Sequence, residues 1–363
     1  MKVAIVHYWL VNWRGGEKVL QALLEMYPDA DVYTHVYDPE AMEGNLDQVN
    51  VIETFISKLP RAKKYYQKYL PLMPLALEQL DLREYDLVIS SESGPAKGVI
   101  TSPDATHICY CHSPMRYVWD MYPDYMKSIG RISRTLLFFV SHYLKVWDRL
   151  SADRVDFFIA NSNFVASRIR KFYRRDSTVI NPPVDINEFE LEGNKEDYYL
   201  VLGQLTPYKK ASLVVKAFQE SGRRLVVIGD GEEYRDIKKN STSNIEVLGR
   251  ADWDVCKSHL AKAKALIFPG VEDFGMVPVE AIASGTPVLA YSKGGALETV
   301  IDGETGYFFN EQSVDAINNC IDYFEEHGVS NSLIEMREAA KKFSKDNFKM
   351  KIEAYITSRI KGE

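Results

Sequence analysis

Short apolar runs alternate along this chain with longer segments in which apolar residues recur at helical spacing. Nearly continuous runs of β-branched and aromatic residues are typical of parallel strands that are buried on both faces. These runs predict strands over residues 3–8, 31–36, 49–53, 85–91, 107–111, 156–161, 177–181, 198–203, 224–229, 245–249, 265–269, 287–291 and 306–309. Strands that alternate with helices form βαβ units, so the pattern predicts an α/β protein with doubly wound parallel sheets.

The pattern weakens at residues 181–197, where two prolines and many acidic residues predict a linker. A length of 363 residues also favours about two domains. We therefore predict a first Rossmann-like domain over 1–185, a second over 186–342 and a C-terminal helix over 343–363. Because no strand follows that helix, we expect it to pack back on the first domain.

Composition and charge narrow the functional classes. The chain is 46% apolar and 26% charged, which is an ordinary globular balance, and its net charge of −7 argues against general nucleic-acid binding. No apolar run approaches the roughly 18–20 residues of a membrane-spanning helix. The N-terminus is interpreted as a first strand rather than a signal peptide.

The cysteines predict a cytoplasmic protein without a bound metal. Four cysteines with no regular spacing are typical of a reducing compartment. Cys109, Cys111 and His112 form a C-x-C-H sequence, but no second ligand cluster follows at the spacing of a zinc site.

Loops that follow the strands are the candidate sites, because ligands of open parallel sheets bind beyond the carboxyl ends of the strands. Gly15 and Gly16 open the first helix, where a ligand could approach free N–H groups, although the turn alone can also require glycine. The loop lacks the G-x-G-x-x-G pattern of dinucleotide-binding proteins. His112 follows another strand and could bind a sugar hydroxyl, although a lone histidine is more often structural.

Two loops of the second half carry charged residues. Lys209 and Lys210 precede a predicted helix, where positive charge opposes the helix dipole. A bound diphosphate would remove this conflict, and the alternative is a pair of solvent-facing lysines. Asp230 lies between two glycines in the next strand-to-helix turn, which is a weak signal by itself.

Glu272 and Glu280 flank a turn between a predicted strand and a short apolar helix. Free N–H groups of residues 274–277 would lie at the start of that helix. Carboxylates in this position can be simple neighbours of the helix dipole. Beside a diphosphate they must instead contact hydroxyls, because they would repel the phosphates. A ligand with an anionic middle and hydroxyl-rich ends is a nucleotide sugar.

With these features, the chain resembles the family-4 retaining glycosyltransferases of GT-B fold. The matching stretches are "GQLTPYKK", "VIGDGEE", "VLGRAD", "ALIFPGVEDFGMVPVEAIASGTPVLAYSKGG" and "IDGETGYFF". The first half, with "RGGEKV" and "CHSPMRYVWD", is similar to mannosyltransferases of bacterial surface-polysaccharide assembly, including those of lipopolysaccharide. The resemblance implies two Rossmann-like domains that face each other across a cleft.

The resemblance also implies roles for individual residues. The positions of His112 and Glu272 contact the transferred sugar, and that of Lys209 binds the diphosphate and stabilises the leaving group. Glu280 holds ribose hydroxyls, and Gly16 faces the diphosphate. The full donor-binding set that we expect comprises Gly15, Gly16, Gly203, Gln204, Lys210, Asp230, Arg250, Phe274, Gly275, Met276, Val277 and Glu280.

One residue departs from the family pattern, because Gln204 stands where the family usually has arginine. A charge against the phosphate is therefore missing, and stabilisation of the leaving group rests more heavily on Lys209, with Lys210 as a candidate for compensation. We expect the reaction to proceed with retention of configuration and without a metal or other cofactor.

By family likeness alone, the expected donor is GDP-mannose, with a UDP-sugar as the alternative. The expected acceptor is a saccharide or a polyprenyl-linked saccharide. Residues 57–74 and 131–150 mix basic and aromatic residues. These segments predict peripheral contact with anionic lipid at the inner face of the cell membrane. The alternative is that they are ordinary amphipathic helices.

Two rival interpretations of the whole chain are a non-catalytic two-lobe binding protein and a NAD-dependent oxidoreductase.

Overall fold

The computed structural model describes residues 1–123 and 131–360, and it forms two compact units. The first unit comprises Met1–Pro182 with Lys349–Glu363, and the second comprises Pro183–Phe348. Every predicted strand is present, with ends within two residues of the prediction, because buried parallel strands leave a strong apolar signal in the sequence.

The first unit contains a parallel sheet of seven strands within the described residues, in the order β3-β2-β1-β4-β5-β6-β7. The order reverses between β1 and β4, which are adjacent although β2 and β3 separate them in the chain. The strands are β1 (Val3–His7), β2 (Asp31–Thr34), β3 (Val51–Glu53), β4 (Leu87–Glu92), β5 (Thr106–Cys111), β6 (Phe157–Ala160) and β7 (Ser177–Val179). The α-helices that accompany them are Gly15–Met26, Ala62–Tyr65, Met73–Glu78, Arg131–Ser151 and Asn163–Tyr173. The helix Lys345–Ile360 begins in the second unit and belongs to the first from Lys349 onward.

The second unit has a parallel sheet of six strands in the order β10-β9-β8-β11-β12-β13, which reverses between β8 and β11. The strands are β8 (Tyr199–Leu202), β9 (Leu225–Ile228), β10 (Ile245–Gly249), β11 (Ala265–Phe268), β12 (Val288–Tyr291) and β13 (Gly306–Phe309). Its α-helices are Ala211–Ser221, Tyr234–Asn240, Trp253–Lys262, Met276–Ala283, Ala296–Thr299, Val314–His327 and Leu333–Ala340. Alternate strand residues pack into two separate apolar clusters, one on each face of the sheet.

The segment that was interpreted as a linker is partly built into the second unit. Val184, Ile186 and Phe189 are buried in its core, and the Val184 amide donates to the carbonyl of Phe343 at 2.9 Å. These apolar side chains occur among acidic ones, so the acidic composition concealed the packing.

A buried charge cluster holds several elements of the first unit together. Lys97 is fully buried and pairs with Glu92 at 3.3 Å and with Asp148 of the helix Arg131–Ser151. Trp119 and Tyr173 donate hydrogen bonds to the second oxygen of Asp148 at 2.6 and 2.9 Å. Each carboxylate therefore has polar partners, as burial of charge requires.

None of the helices in the described ranges, 1–123 and 131–360, is both long enough and apolar enough to span a bilayer.

Candidate active site

The candidate site of the second unit lies at the carboxyl edge of β8, β9 and β11, where the strand order reverses. Such a point is where open α/β sheets bind their ligands. The loop that begins at Gly203 follows β8, the loop that begins at Gly229 follows β9, and the acidic loop 269–275 follows β11. The sheet thus brings together three of the loops that the sequence indicated.

Glycines allow these loops to approach one another closely. A Cβ on Gly229 would lie 1.8 Å from the carbonyl oxygen of Gly203, and one on Gly231 would lie 2.5 Å from that of Leu205. A Cβ on Gly270 would lie 3.0 Å from the Cα of Lys209. Backbone packing therefore requires glycine at 229 and 231 independently of any ligand, and it leaves little room for a side chain at 270.

Lys209 and Glu272 form the charged centre of this edge. The Nζ of Lys209 lies 2.7 Å from Oε1 of Glu272, and the two side chains are 20% and 21% exposed. Lys209 ends a short 3₁₀ turn, Pro207–Lys209, and Lys210 then turns the chain into the helix Ala211–Ser221 with φ of 61°. The site thus offers an ammonium and a carboxylate side by side, both accessible to a ligand.

The acidic loop leads directly into the helix Met276–Ala283. Gly275 precedes it in a left-handed conformation with φ of 85°, and Phe274 is buried against Phe343 with ring centroids 5.3 Å apart. Glu280 lies on this helix and is buried. The N–H groups of the first turn have no acceptor within the helix, so Met276 and Val277 offer donors at a positive helix end.

Sequence reasoning missed the glycine pair that supports this loop. The Gly295 amide donates to the Glu272 carbonyl at 2.9 Å. A Cβ on Gly295 would lie 2.2 Å from the carbonyl oxygen of Phe274, and one on Gly294 would lie 2.5 Å from that of Glu272. Two adjacent glycines in the loop that follows β12 were the available signal.

The other predicted donor-binding residues lie along the same sheet edge. Gln204, Lys210, Asp230 and Arg250 are exposed. Asp230 accepts a hydrogen bond from the Gly231 amide at 2.8 Å, which holds the turn after β9, and Arg250 follows β10. The strand order therefore places Arg250, Asp230, Lys209 and Glu272 at successive positions along the edge.

In the first unit, His112 lies at the carboxyl edge of the central strands. It follows β5 directly, is half-buried, and its Nε2 lies 2.9 Å from the Oγ of Ser91 at the end of β4. Gly15 and Gly16 open the helix Gly15–Met26 as predicted. A Cβ on Gly16 would lie 2.4 Å from the hydroxyl oxygen of Tyr8, so a larger residue there would displace the Tyr8 side chain.

Sequence reasoning also missed three polar residues beside His112. His7, Glu17 and Ser91 are all buried, and the His7 ring contacts the side chains of both Glu17 and Ser91. Polar residues at the carboxyl ends of buried strands were the available signal.

Among the described residues, no group of three or more His, Cys, Asp and Glu side chains is arranged to hold a metal ion. Cys109 and Cys111 are buried in β5, and burial raises the pKa of the Cys111 thiol well above its usual range.

Comparison with known proteins identifies both halves of the chain. Residues 13–188 match the family model described as Glycosyltransferase Family 4, and residues 185–345 match the one described as Glycosyl transferases group 1. The chain is 26% identical to the alpha-1,3/1,6-mannosyltransferase ALG2 of Saccharomyces cerevisiae, over 61% of this chain and 53% of that protein. It is 31% identical to the GDP-mannose-dependent alpha-(1-6)-phosphatidylinositol monomannoside mannosyltransferase of Mycolicibacterium smegmatis, over 33% of this chain and 36% of that protein.

A solved structure supports the fold over the whole chain. Anabaena HepE in complex with UDP and glucose superposes with a TM-score of 0.70 and 18% identity, covering 99% of this chain and 100% of that one. The chain spans about half the length of the curated relatives it matches.

Proposed function

Because the chain belongs to the glycosyltransferases, with a Family 4 domain followed by a group 1 domain, we propose that it transfers a hexose from a nucleoside diphosphate to an acceptor hydroxyl with retention of configuration. The observation that carries this proposal is the pairing of Lys209 with Glu272 at the point where the second sheet reverses its strand order.

The paired groups match the two parts of an activated sugar. A diphosphate binds an ammonium, and a sugar hydroxyl donates a hydrogen bond to a carboxylate. The sugar is bonded directly to the phosphate, so groups that bind both parts must lie next to each other. A donor would replace the Lys209–Glu272 contact with a phosphate contact to Lys209 and a hydroxyl contact to Glu272.

The roles proposed for the remaining residues are those that the family resemblance implies. Glu280 binds ribose hydroxyls, the amides around Gly275 and Met276 bind phosphate and sugar, and His112 contacts the transferred sugar. During transfer the bond from the anomeric carbon to the phosphate oxygen breaks, the acceptor oxygen bonds to that carbon on the same face, and the acceptor proton passes to the departing phosphate. The enzyme accelerates this step by positioning and by stabilising charge on the leaving group.

We further propose GDP-mannose as the donor. The two curated relatives described above are mannosyltransferases, one of them GDP-mannose-dependent by name. The UDP in the Anabaena structure makes a UDP-sugar the specific alternative. A thermal-shift panel of GDP, UDP and ADP tests the choice, and we expect GDP to raise Tm most. A larger shift with UDP would favour the alternative, and no shift with any of the three would contradict the proposal.

The proposed reaction needs no divalent metal, because Lys209 and the first-turn amides of the helix Met276–Ala283 supply the positive charge at the phosphates. We expect turnover to be unchanged by EDTA. Loss of turnover in EDTA that added Mg²⁺ or Mn²⁺ restores would contradict this part of the proposal.

The proposed acceptor is a saccharide or a polyprenyl-linked saccharide, reached by peripheral contact with an anionic membrane on its cytoplasmic face. The support comes from the helix Arg131–Ser151, whose buried face includes Leu144 and Trp147. Its opposite face exposes Phe139, Tyr143, Val146 and Leu150, spaced as neighbours along one helix stripe. Exposed basic residues of the segment 57–74, among them Arg61, Lys64 and Lys68, would favour anionic headgroups.

Sedimentation with vesicles tests the membrane contact. We expect binding to anionic vesicles, weaker binding to zwitterionic ones, and loss of binding in the double variant Phe139→Ser/Tyr143→Ser. The control is Ile334→Ser, an apolar residue of the second unit that is as exposed as Phe139. Equal sedimentation of the double variant and the control would contradict a role for this face.

A further inference from the structure

A continuous series of side-chain contacts, from Glu17 to His112, crosses the carboxyl edge of the first sheet. Glu17 Oε1 lies 3.4 Å from His7 Nε2, His7 Nδ1 lies 3.0 Å from Ser91 Oγ, and Ser91 Oγ lies 2.9 Å from His112 Nε2. His7 and Ser91 are register partners in the β1–β4 ladder, and His112 directly follows β5. This series of contacts therefore lies where the strand order of the first sheet reverses.

Because these side chains are buried, each hydrogen bond among them needs a donor and an acceptor that match. The side chains of His7, Ser91 and Glu17 have almost no contact with solvent, so water cannot readily complete a mismatched bond. An ionised carboxylate only accepts hydrogen bonds, a neutral imidazole has one donor and one acceptor nitrogen, and a serine hydroxyl has a single hydrogen.

With His7 neutral, these rules set the direction of each hydrogen bond, starting from Glu17. Both oxygens of Glu17 accept, Oε2 from the Arg14 amide at 2.9 Å and Oε1 from Nε2–H of His7. A neutral His7 then accepts at Nδ1 from the Ser91 hydroxyl. Since the single hydrogen of Ser91 is used there, its oxygen accepts from Nε2–H of His112.

We propose that Glu17, His7 and Ser91 are positioning residues that hold His112 in its Nε2–H tautomer, with Nδ1 as the acceptor nitrogen. The rings of Tyr110 and Tyr8, at centroid distances of 5.1 and 6.4 Å, flank the His112 imidazole edge to face and hold its plane. The functional consequence rests on the proposed function, in which His112 contacts the transferred sugar. In that role His112 accepts a hydrogen bond from a sugar hydroxyl rather than donating one.

A cationic His7 would reverse the direction of the hydrogen bonds between His7, Ser91 and His112. Its Nδ1–H would donate to Ser91, whose hydroxyl would donate to His112 Nε2, and His112 would then carry its proton on Nδ1. The neutral form is the one we propose, because it avoids burying a cation whose contact with Glu17 is as long as 3.4 Å.

Histidine ¹⁵N NMR on the full-length, ligand-free protein at pH 8 reads the tautomer directly. We expect His112, assigned by His112→Gln, to show a protonated Nε2 and an unprotonated Nδ1. In Ser91→Ala and in Glu17→Gln we expect this single tautomer to become a mixture. Glu17→Gln acts because an amide can donate to His7 as well as accept from it, and it leaves every atom that contacts His112 in place.

The matched control is Ser90→Ala, the same substitution one residue earlier on the same strand. Ser90 Oγ also contacts a buried histidine, His107, at 2.9 Å. We expect Ser90→Ala to change the signals of His107 and to leave those of His112 unchanged.

Kinetics supply the second readout. With the donor and acceptor that support turnover, we expect Ser91→Ala to lower kcat by about tenfold with a smaller change in donor KM, while Ser90→Ala retains the wild-type kcat. An Nδ1–H tautomer in the wild type, or an unchanged His112 spectrum in both Ser91→Ala and Glu17→Gln, would overturn the proposal. The spectrum needs no substrate, so a failure of the proposed function, seen as absent nucleotide binding, is distinguished from a failure of this inference.

Discussion

Lys209 and Glu272 come from loops that follow different strands, and their contact exists only because β8 and β11 are neighbours in the sheet. Each residue alone has an ordinary explanation as a surface charge. Together, at 2.7 Å and each partly exposed, they are the pair to which we assign the phosphate and a sugar hydroxyl of the proposed donor.

Replacement of Lys209 tests its proposed role at the leaving group. We expect Lys209→Ala to lower kcat by about 10²–10³-fold, because one preorganised positive group that stabilises developing charge is lost. Lys216→Ala, an exposed lysine of the adjacent helix, is the matched control and should retain wild-type rates. Initial-rate measurements at saturating donor check both, and comparable rates for Lys209→Ala and wild type would refute the role.

At the level of elements, the acidic loop is supported by the turn after β12. Gly294 and Gly295 pack under the backbone of residues 272–274, and glycine is the only residue that fits such close contact. The loop and the turn therefore form one support for Glu272.

Gly295→Ala tests this support. The new Cβ would lie 2.2 Å from the Phe274 carbonyl oxygen, so the loop must move, and we expect a loss of about 1–3 kcal/mol in the free energy of unfolding together with reduced turnover. Gly193→Ala is the control, since a Cβ there meets nothing within 4 Å. Denaturant unfolding measures both variants, and equal midpoints would show that the loop does not depend on the glycine.

The charge cluster around Lys97 links β4 to two helices of the first unit. Lys97→Met would leave Glu92 and Asp148 buried without their cation, and we expect a loss of about 3–5 kcal/mol in unfolding free energy. Lys63→Met removes an exposed pair with Asp38 and should cost no more than about 1 kcal/mol. Chemical denaturation of both variants measures the two losses in unfolding free energy. Similar losses would mean that the buried cluster stabilises the protein no more than the exposed pair does.

At the scale of the whole molecule, residues distant in the chain meet around Glu325 in the second unit. Burial alone would raise the pKa of this carboxyl, but hydrogen bonds from Arg223, Tyr199 and Lys264 lower the pKa to about 2 from its usual 4.5. The stability that a lowered carboxyl pKa contributes is present above the unfolded pKa and is lost as the pH falls through the folded one.

Because the pKa of Glu325 is lowered in the folded state, the effect of Glu325→Gln on Tm depends on pH in a defined direction. We expect the wild type to exceed the variant in Tm by a constant amount above about pH 4.5, with the difference shrinking between pH 4.5 and pH 2. Glu326→Gln, at an exposed neighbouring carboxylate, is the control. Thermal melts across this range measure the effect, and a Tm difference independent of pH would contradict the assignment to Glu325.

The amino-acid sequence by itself determined the elements and their loops. All predicted strands and the glycine-opened first helix follow from local patterns, because burial on both faces and helix starts leave a signal within a few residues. The same patterns place His112, Lys209 and Glu272 after strands and Glu280 on the helix that follows the acidic loop.

Only the tertiary structure decided which of these residues meet. The contact of Lys209 with Glu272, the chain from Glu17 to His112 and the packing of Gly295 under Phe274 all depend on the order of strands in the two sheets. Strand order is set by the burial energy of whole helices and strands that are far apart in the chain, and a local pattern does not contain that information.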